Sequence, residues 1–100
     1  MAEVRFSRRA EFDLQAIDDY TIQTWSEDQA DLYLGRLRGF CAKLAETPDI
    51  GRLWNPQREG LRRIEQGSHV VFYRKTRDGV LITRILHRSM LPDNHILDPK

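Results

Sequence analysis

Two apolar runs in the second half of this 100-residue chain constrain its fold most strongly. The first is GSHVVFYRK at residues 67–75, and the second is VLITRILH at residues 80–87, with the turn-like sequence TRDG between them. β-Branched and aromatic side chains dominate both runs, which predicts two strands joined by a tight turn. LRRIEQG comes directly before the first run and predicts a third strand. Residues 61–87 are therefore expected to form an antiparallel meander.

Both faces of these strands are largely apolar, because side chains alternate between the two faces of a strand. The alternation puts two sets of side chains of the last strand on opposite faces: Leu81, Thr83, Ile85 and His87 on one, and Val80, Ile82, Arg84 and Leu86 on the other. One helical layer covers only one face of a sheet. The second face must be covered by the C-terminal segment or another chain, or stay partly open as an arginine-bearing binding surface.

Two helices are predicted before the meander. The first begins after Ser7, a favourable N-cap residue, and continues to Trp25. Ser26 and Gln29 have the spacing of a capping box, so the second helix begins almost where the first ends and continues towards Pro48. Its apolar residues follow a 3–4 repeat, which predicts a packed helical hairpin; they are Ala30, Tyr33, Leu34, Leu37, Phe40, Cys41, Leu44 and Ala45.

The first helix carries two apolar stripes. The first contains Ala10, Leu14, Ile17, Thr21 and then Thr24 to Trp25, and the second contains Phe12, Ala16 and Tyr20. The second stripe can pack on the sheet or receive the apolar face of a partner helix, and the pattern leaves both alternatives open. Residues 2–6 predict a short edge strand, residues 47–60 a long loop, and residues 88–100 a tail. The chain is thus expected to be one α+β domain, residues 1–100, in the order β-α-α-β-β-β, with a helical hairpin on a small antiparallel sheet.

Charge is distributed unevenly along the chain. Residues 1–50 carry 6 Lys and Arg against 10 Asp and Glu, whereas residues 51–100 carry 10 against 5. Thirteen of the 16 cationic residues are arginine, which suits bidentate contact with carboxylate or phosphate. One interpretation of these arginines is that they bind an anionic partner, either an acidic protein or a nucleic acid. The other is that they pair with the 15 acids of the chain itself.

Several classes of function are not expected. No apolar run is long enough to span a membrane and no signal peptide is recognised, so we expect a cytoplasmic protein without a membrane partner. The single cysteine, Cys41, has no second cysteine for a disulfide or a CxxC motif, and its expected role is packing. Neither a cofactor nor a metal site is predicted.

The segments SRRAEFDLQAIDDYT, WSEDQADLYLGRL, LAETPDIGR, GLRRIEQGSHVVFYR and RILHRSM, in this order, resemble the ParE branch of the RelE/ParE toxin superfamily. The resemblance spans nearly the whole chain. It implies a helical hairpin on a small antiparallel sheet and the role of toxin in a type II toxin–antitoxin system. It also implies neutralisation by a ParD-type antitoxin, action on DNA gyrase, and contact with operator DNA only through the antitoxin.

The RelE branch, ribosome-dependent messenger-RNA endonucleases, is the alternative within the superfamily. RNA cleavage by the 2′-hydroxyl needs a proton acceptor, a proton donor and cations for the developing charge. Candidates are Arg62, Arg63, Arg74 and Arg84 for phosphate and His87 for proton transfer. His69 and His87 share a face with apolar residues, which is more typical of packing than catalysis. We therefore expect no catalytic residues and a toxin that acts by binding; an inactive regulatory module is a third alternative.

The resemblance and the apolar patterns together predict two binding surfaces. The antitoxin-binding residues are expected to be Phe12, Ala16, Tyr20, Arg74, Ile82, Arg84 and Leu86. The target-binding residues are expected to be His87, Arg88, Met90, His95, Ile96 and Leu97.

Overall fold

The computed structural model describes residues 2–53 and 60–90. Its elements are β1 (Glu3–Phe6), α1 (Arg8–Thr24), α2 (Glu27–Glu46), β2 (Arg52–Leu53), β3 (Leu61–Gln66), β4 (His69–Lys75), β5 (Gly79–His87) and a short 3-10 helix (Arg88–Met90). The strands form one sheet in the order β1-β5-β4-β3-β2, and both helices pack on one face of it. The predicted α+β class and the helical hairpin are confirmed. No helix within the described ranges is long and apolar enough to cross a membrane.

The sheet is mixed, whereas an antiparallel sheet was predicted. Strands β2 to β5 pair antiparallel, but β1 pairs with β5 in parallel at the edge of the sheet. Parallel neighbours need a long crossover, and the helical hairpin and the meander lie between these two strands in the chain. The backbones of β1 and β5 approach closely at Gly79, where an added Cβ would lie 1.8 Å from the carbonyl oxygen of Glu3.

Both helices begin at the predicted N-cap residues. The Ser7 hydroxyl accepts the Ala10 N–H at 3.0 Å, and the Ser26 hydroxyl accepts the Gln29 N–H at 3.1 Å. The two hydroxyls each satisfy one of the free N–H groups at a helix start. The predicted apolar repeats then form the helical side of the core, where the buried residues are Ala10, Leu14, Ile17, Ala30, Leu37, Cys41, Leu44 and Ala45.

Buried side chains lie on both faces of the sheet. The cluster beneath the helices includes Val71, Tyr73, Val80, Ile82 and Ile85. A second cluster lies on the face opposite the helices, here called the outer face, and consists of Leu61, Val70, Phe72 and Leu86. These four side chains are 0–4% exposed, so the apolar centre of the outer face is not open as one alternative predicted.

A β-bulge in β5 overturns part of the predicted alternation. Phe72 pairs with Arg84 and Tyr73 pairs with Ile82, which leaves Thr83 as an extra residue. A bulge reverses the side-chain alternation beyond it. Ile82 therefore lies under the helices with no exposed area, and the prediction that it shares a face with Arg84 and Leu86 is wrong.

The predicted loop before the meander contains the short strand β2 and is tied to the sheet. The hydroxyl of buried Tyr73 accepts the Gly51 N–H at 2.8 Å and donates to the Pro48 carbonyl at 2.9 Å. Arg62 donates to the Gly51 carbonyl at 2.6 Å. These bonds fix the chain as it enters β2. The rest of that loop, residues 54–59, and the tail from residue 91 lie outside the described residues.

Candidate functional site

A groove of about 330 Å³ lies between α1 and the end of β5. It exists because β1 ends at Phe6, which pairs with Ile82, whereas β5 continues to His87. Within the described ranges, the edge of β5 beyond Ile82 therefore has no neighbouring strand on that side. We call this space the α1–β5 groove; its lining residues are Asp13, Ala16, Ile17, Tyr20, Ile85, Leu86, His87 and Met90.

The side chains of the N-cap residue Ser7 and of α1 take the place of a neighbouring strand at the near end of the groove. The Ser7 hydroxyl donates to the Thr83 carbonyl at 2.9 Å. The Asp13 carboxylate accepts the Ile85 N–H at 2.9 Å. Beyond that point the groove is lined mainly by apolar atoms.

Asp13 and Arg84 neutralise each other beside this edge. Arg84 Nε lies 2.9 Å from one carboxylate oxygen of Asp13, and its Nη2 lies 3.2 Å from the other. The geometry is the bidentate form that makes arginine–carboxylate pairs strong. Arg84 is therefore paired within the chain, and its contact with acids on a partner stays a prediction.

The second stripe of α1 is exposed, so the alternative in which it packs on the sheet is wrong. Phe12 is 75% exposed and Tyr20 is 65% exposed. Ala16 lies between them, and Ala16 and Tyr20 line the groove. Leu86 and Arg74 were also predicted to bind the antitoxin. Leu86 lines the groove, and Arg74 lies on the outer face, where Leu61 is its cross-strand partner.

The residues of the ribonuclease alternative do not converge on one site. Arg62 lies on the helix side and bonds to the loop before β2. Arg63 and Arg74 lie on the outer face, whereas Arg84 is bonded to Asp13 of α1. His87 lies on the helix side at the exposed end of β5, with its Nδ1 2.8 Å from the Ser89 hydroxyl.

The ring of His69 contacts the rings of both Tyr33 of α2 and His87. His69 is 8% exposed, its Nδ1 is bonded to the Tyr33 hydroxyl, and its ring meets the His87 ring edge-on at 5.2 Å. Burial, and then the nearby His87, lower the pKa of His69 to about 4. Burial also raises the pKa of Tyr33, so the hydroxyl keeps its proton and donates to the neutral imidazole. The packing interpretation of His69 is thus correct, whereas His87 is exposed.

A second cavity of about 380 Å³ adjoins the groove and shares Tyr20 and His87 with it. Trp25 is 72% exposed at its rim, so the helical spacing that put it in the first stripe of α1 was misleading at this position. Asp13 was missed, because its partner Arg84 is 71 positions away and no local pattern links them.

The predicted target-binding residues are only partly described. Arg88 and Met90 lie in the short 3-10 helix after β5, and both are exposed, as is His87. Met90 also lines the α1–β5 groove. His95, Ile96 and Leu97 lie outside the described residues.

Comparison with known proteins identifies the family. Residues 4–92 match the family described as ParE toxin of type II toxin-antitoxin system, parDE. This chain belongs to the ParE toxin family. It is 42% identical over 96 residues to Toxin ParE1 of Caulobacter vibrioides, with 96% of this chain and 99% of that protein covered. It is 37% identical over 91 residues to Toxin ParE1 of Mycobacterium tuberculosis, with 90% and 93% covered.

Solved structures of toxin–antitoxin systems share the fold of this ParE-type chain. A chain of the chromosomal ParDE system from P. aeruginosa has a TM-score of 0.72 and 22% identity, covering 87% of this chain and 96% of that one. A chain of the RelBE2 toxin–antitoxin complex from Mycobacterium tuberculosis has a TM-score of 0.66 and 22% identity, covering 87% and 98%. These structures show the shared fold, and the family match with the ParE1 relatives identifies the chain as a ParE-type toxin of a type II toxin–antitoxin system.

Proposed function

We propose that this toxin inhibits DNA gyrase in the cytoplasm and that a ParD-type antitoxin neutralises it by binding the α1–β5 groove. The observation that carries the antitoxin site is the exposed apolar stripe beside an edge of β5 that β1 does not cover. Apolar side chains exposed in a row along a helix are typical of a surface that another chain covers. Gyrase is proposed as the target because of membership of the ParE family.

The groove suits an apolar segment of the antitoxin better than a charged one. Ala16, Ile17, Tyr20 and Met90 supply apolar lining. Asp13 is the acid in the groove, and Arg84 already neutralises it. A partner therefore gains little from charge here and gains free energy mainly by removing apolar surface from water.

Antitoxin binding is tested with two alanine substitutions. Ala16→Glu puts a charge on the groove lining, and Ala42→Glu puts the same charge on an exposed site of α2 away from the groove. Titration calorimetry with the antitoxin encoded beside this toxin should show at least roughly a tenfold loss of affinity for Ala16→Glu, because a buried unpaired carboxylate is costly. Ala42→Glu should bind within about twofold of the unsubstituted chain. Equal affinity of the two variants would contradict the proposed site.

The gyrase target is tested with purified enzyme. The toxin should inhibit supercoiling and increase the amount of cleaved DNA trapped by gyrase, and added antitoxin should reverse both effects. Arg88→Glu should weaken inhibition, because Arg88 lies in the exposed segment proposed to contact gyrase. Arg77→Glu, in the exposed turn before β5, is the matched control. If gyrase is unaffected while messenger RNA is cut in a translating extract, the proposed target is wrong.

A further inference from the structure

The cavity that adjoins the α1–β5 groove has a largely aromatic lining. Its volume is about 380 Å³, and it lies where α1 ends and α2 begins. Four of the seven described residues that line it are aromatic, and the other three carry side-chain oxygens; they are Tyr20, Trp25, Tyr33 and His87, with Thr21, Gln29 and Ser68. The faces of tyrosine and tryptophan rings are negative and attract cations. We call this space the Trp25 cavity.

The helices around the Trp25 cavity are acidic. Residues 10–35, which include most of α1 and the first half of α2, carry seven Asp and Glu and no Lys or Arg. Glu11 and Asp13 pair with arginines, which leaves five acids without an ion pair among the described residues. The last turn of α1 has no basic residue to offset the negative end of its helix dipole. The nearest cations along the chain, Arg36 and Arg88, are not among the lining residues, so the charge around the cavity favours a cation.

Two hydroxyls of the lining have no proton to give to a ligand. The Thr21 hydroxyl donates to the Ile17 carbonyl at 2.7 Å, and the Tyr33 hydroxyl donates to the neutral ring of His69. The Thr21 oxygen can therefore only accept a hydrogen bond from a ligand. An anion would lack these donors and would be repelled by the acids, and an apolar side chain would leave the oxygens of Thr21 and Gln29 without partners. A cation that carries several N–H donors fits the lining best.

The position of the cavity indicates which chain supplies that cation. The cavity shares Tyr20 and His87 with the α1–β5 groove, so a segment bound in the groove can extend into it. We propose that the Trp25 cavity binds an arginine side chain of the antitoxin; this inference rests on the proposed antitoxin site in the groove. A guanidinium stacks on aromatic rings, and its N–H groups match acceptors such as the Thr21 hydroxyl and the Gln29 amide. The cavity then helps to distinguish the cognate antitoxin from others.

Reversing the sign of one charge in the lining tests the proposal. Gln29→Lys adds a cation to the cavity, and Gln29→Glu adds an anion of similar size. In titration calorimetry with the antitoxin encoded beside this toxin, Gln29→Lys should lose at least roughly tenfold in affinity, because like charges repel strongly in a desolvated site. Gln29→Glu should bind at least as tightly as the native chain. The same two substitutions at Gln23, which is exposed on α1 and outside the lining, should change affinity by no more than about twofold.

The arginine itself is identified on the antitoxin. Each arginine of the antitoxin is replaced by glutamine in turn, and one of these variants should lose roughly tenfold in affinity for the native toxin. The same antitoxin variant should show no further loss with the Gln29→Lys toxin, because both changes remove one interaction. An antitoxin in which no arginine behaves in this way would overturn the proposal.

The pattern of losses also decides between occupants. Equal losses for Gln29→Lys and Gln29→Glu would overturn the proposal and assign the cavity to an apolar side chain, and a loss confined to Gln29→Glu would assign it to a carboxylate. Native affinity in both variants would show that the antitoxin does not enter the cavity. If Ala16→Glu still loses affinity in that case, the groove remains the antitoxin site and only the arginine site fails. Circular dichroism of each variant checks that it is folded.

Discussion

Asp13 of α1 holds both Arg84 and the backbone of β5 with one carboxylate. Its two oxygens contact the Arg84 guanidinium at 2.9 and 3.2 Å, and one of them also accepts the Ile85 N–H at 2.9 Å. The side chains are 13% and 20% exposed for Asp13 and Arg84 respectively, so solvent screens the pair only weakly. The interaction fixes α1 against β5 where β1 ends. It also sets the near end of the α1–β5 groove.

Asp13→Asn should therefore lower the free energy of unfolding by about 2–4 kcal/mol, because Arg84 keeps its charge without a counterion. Urea denaturation measures the loss. Glu11→Gln on the same helix is the matched control, since Glu11 pairs with Arg38 at 3.7 Å and both side chains are about half exposed. It should cost less than about 1 kcal/mol. A loss below about 1 kcal/mol for Asp13→Asn as well would contradict the stabilising role of the Asp13 pair.

Gly51 is expected to resist substitution because Tyr73 occupies the space beside it. A Cβ at Gly51 would lie 2.5 Å from the Tyr73 hydroxyl oxygen and 2.9 Å from the Arg63 carbonyl oxygen. Gly51→Ala should displace buried Tyr73 and cost about 1–3 kcal/mol in urea denaturation. Gly39→Ala is the control, since nothing lies within 4 Å of its added Cβ, and it should stabilise α2 by up to about 1 kcal/mol. If both changes stabilise the chain, the loop before β2 is not fixed by Tyr73.

The elements of the fold were predictable where the signal is local. Caps such as Ser7 and Ser26 and the 3–4 repeat of α2 depend on neighbouring residues, so the sequence alone identifies them. The bulge at Thr83 depends on how β4 and β5 align, and a strict alternation of two residues cannot reveal it. The error changed the predicted site, because it put Ile82 on the wrong face of the sheet.

The exposed stripe of the candidate site was identified from sequence, but its surroundings were not. Phe12 and Tyr20 were recognised from helical spacing, and the structure decides between the two alternatives that this spacing left open. The groove itself arises because β1 is shorter than β5, a difference in length between strands far apart in the chain. The pairing of Asp13 with Arg84 is equally non-local.

Stability should decrease on acidification because His69 is held neutral. Its pKa is about 4 in the folded chain, against 6.5 as the ordinary value. Between these values the unfolded chain binds a proton that the folded chain does not, so stability is complete above about pH 6.5 and falls towards pH 4. The loss attributable to His69 should be about 2 kcal/mol between pH 7.5 and pH 5 and about 3 kcal/mol at pH 4. Urea denaturation of the native chain and of His69→Gln at pH 7.5 and pH 5 measures it.

The His69→Gln variant should depend less on pH than the native chain over this window, because glutamine does not titrate. A histidine NMR titration provides a direct check, since the His69 ring should stay neutral well below pH 6. A ring that protonates near pH 6.5 would contradict the effect of burial.

The thiol of Cys41 should be inert as long as the chain is folded. Cys41 has no exposed area, and burial raises its pKa to about 12, although the charge of Arg38 opposes the shift. The thiolate is the reactive form, so labelling at pH 8 requires local or global unfolding that exposes Cys41. Iodoacetamide labelling followed by mass spectrometry should therefore be slow in buffer and rapid in urea.

The double variant Cys41→Ala/Ala42→Cys is the control, because it puts a thiol at the adjacent exposed position, and it should react at once. Rapid labelling of Cys41 in buffer would show that α2 separates from the sheet far more often than its buried core predicts.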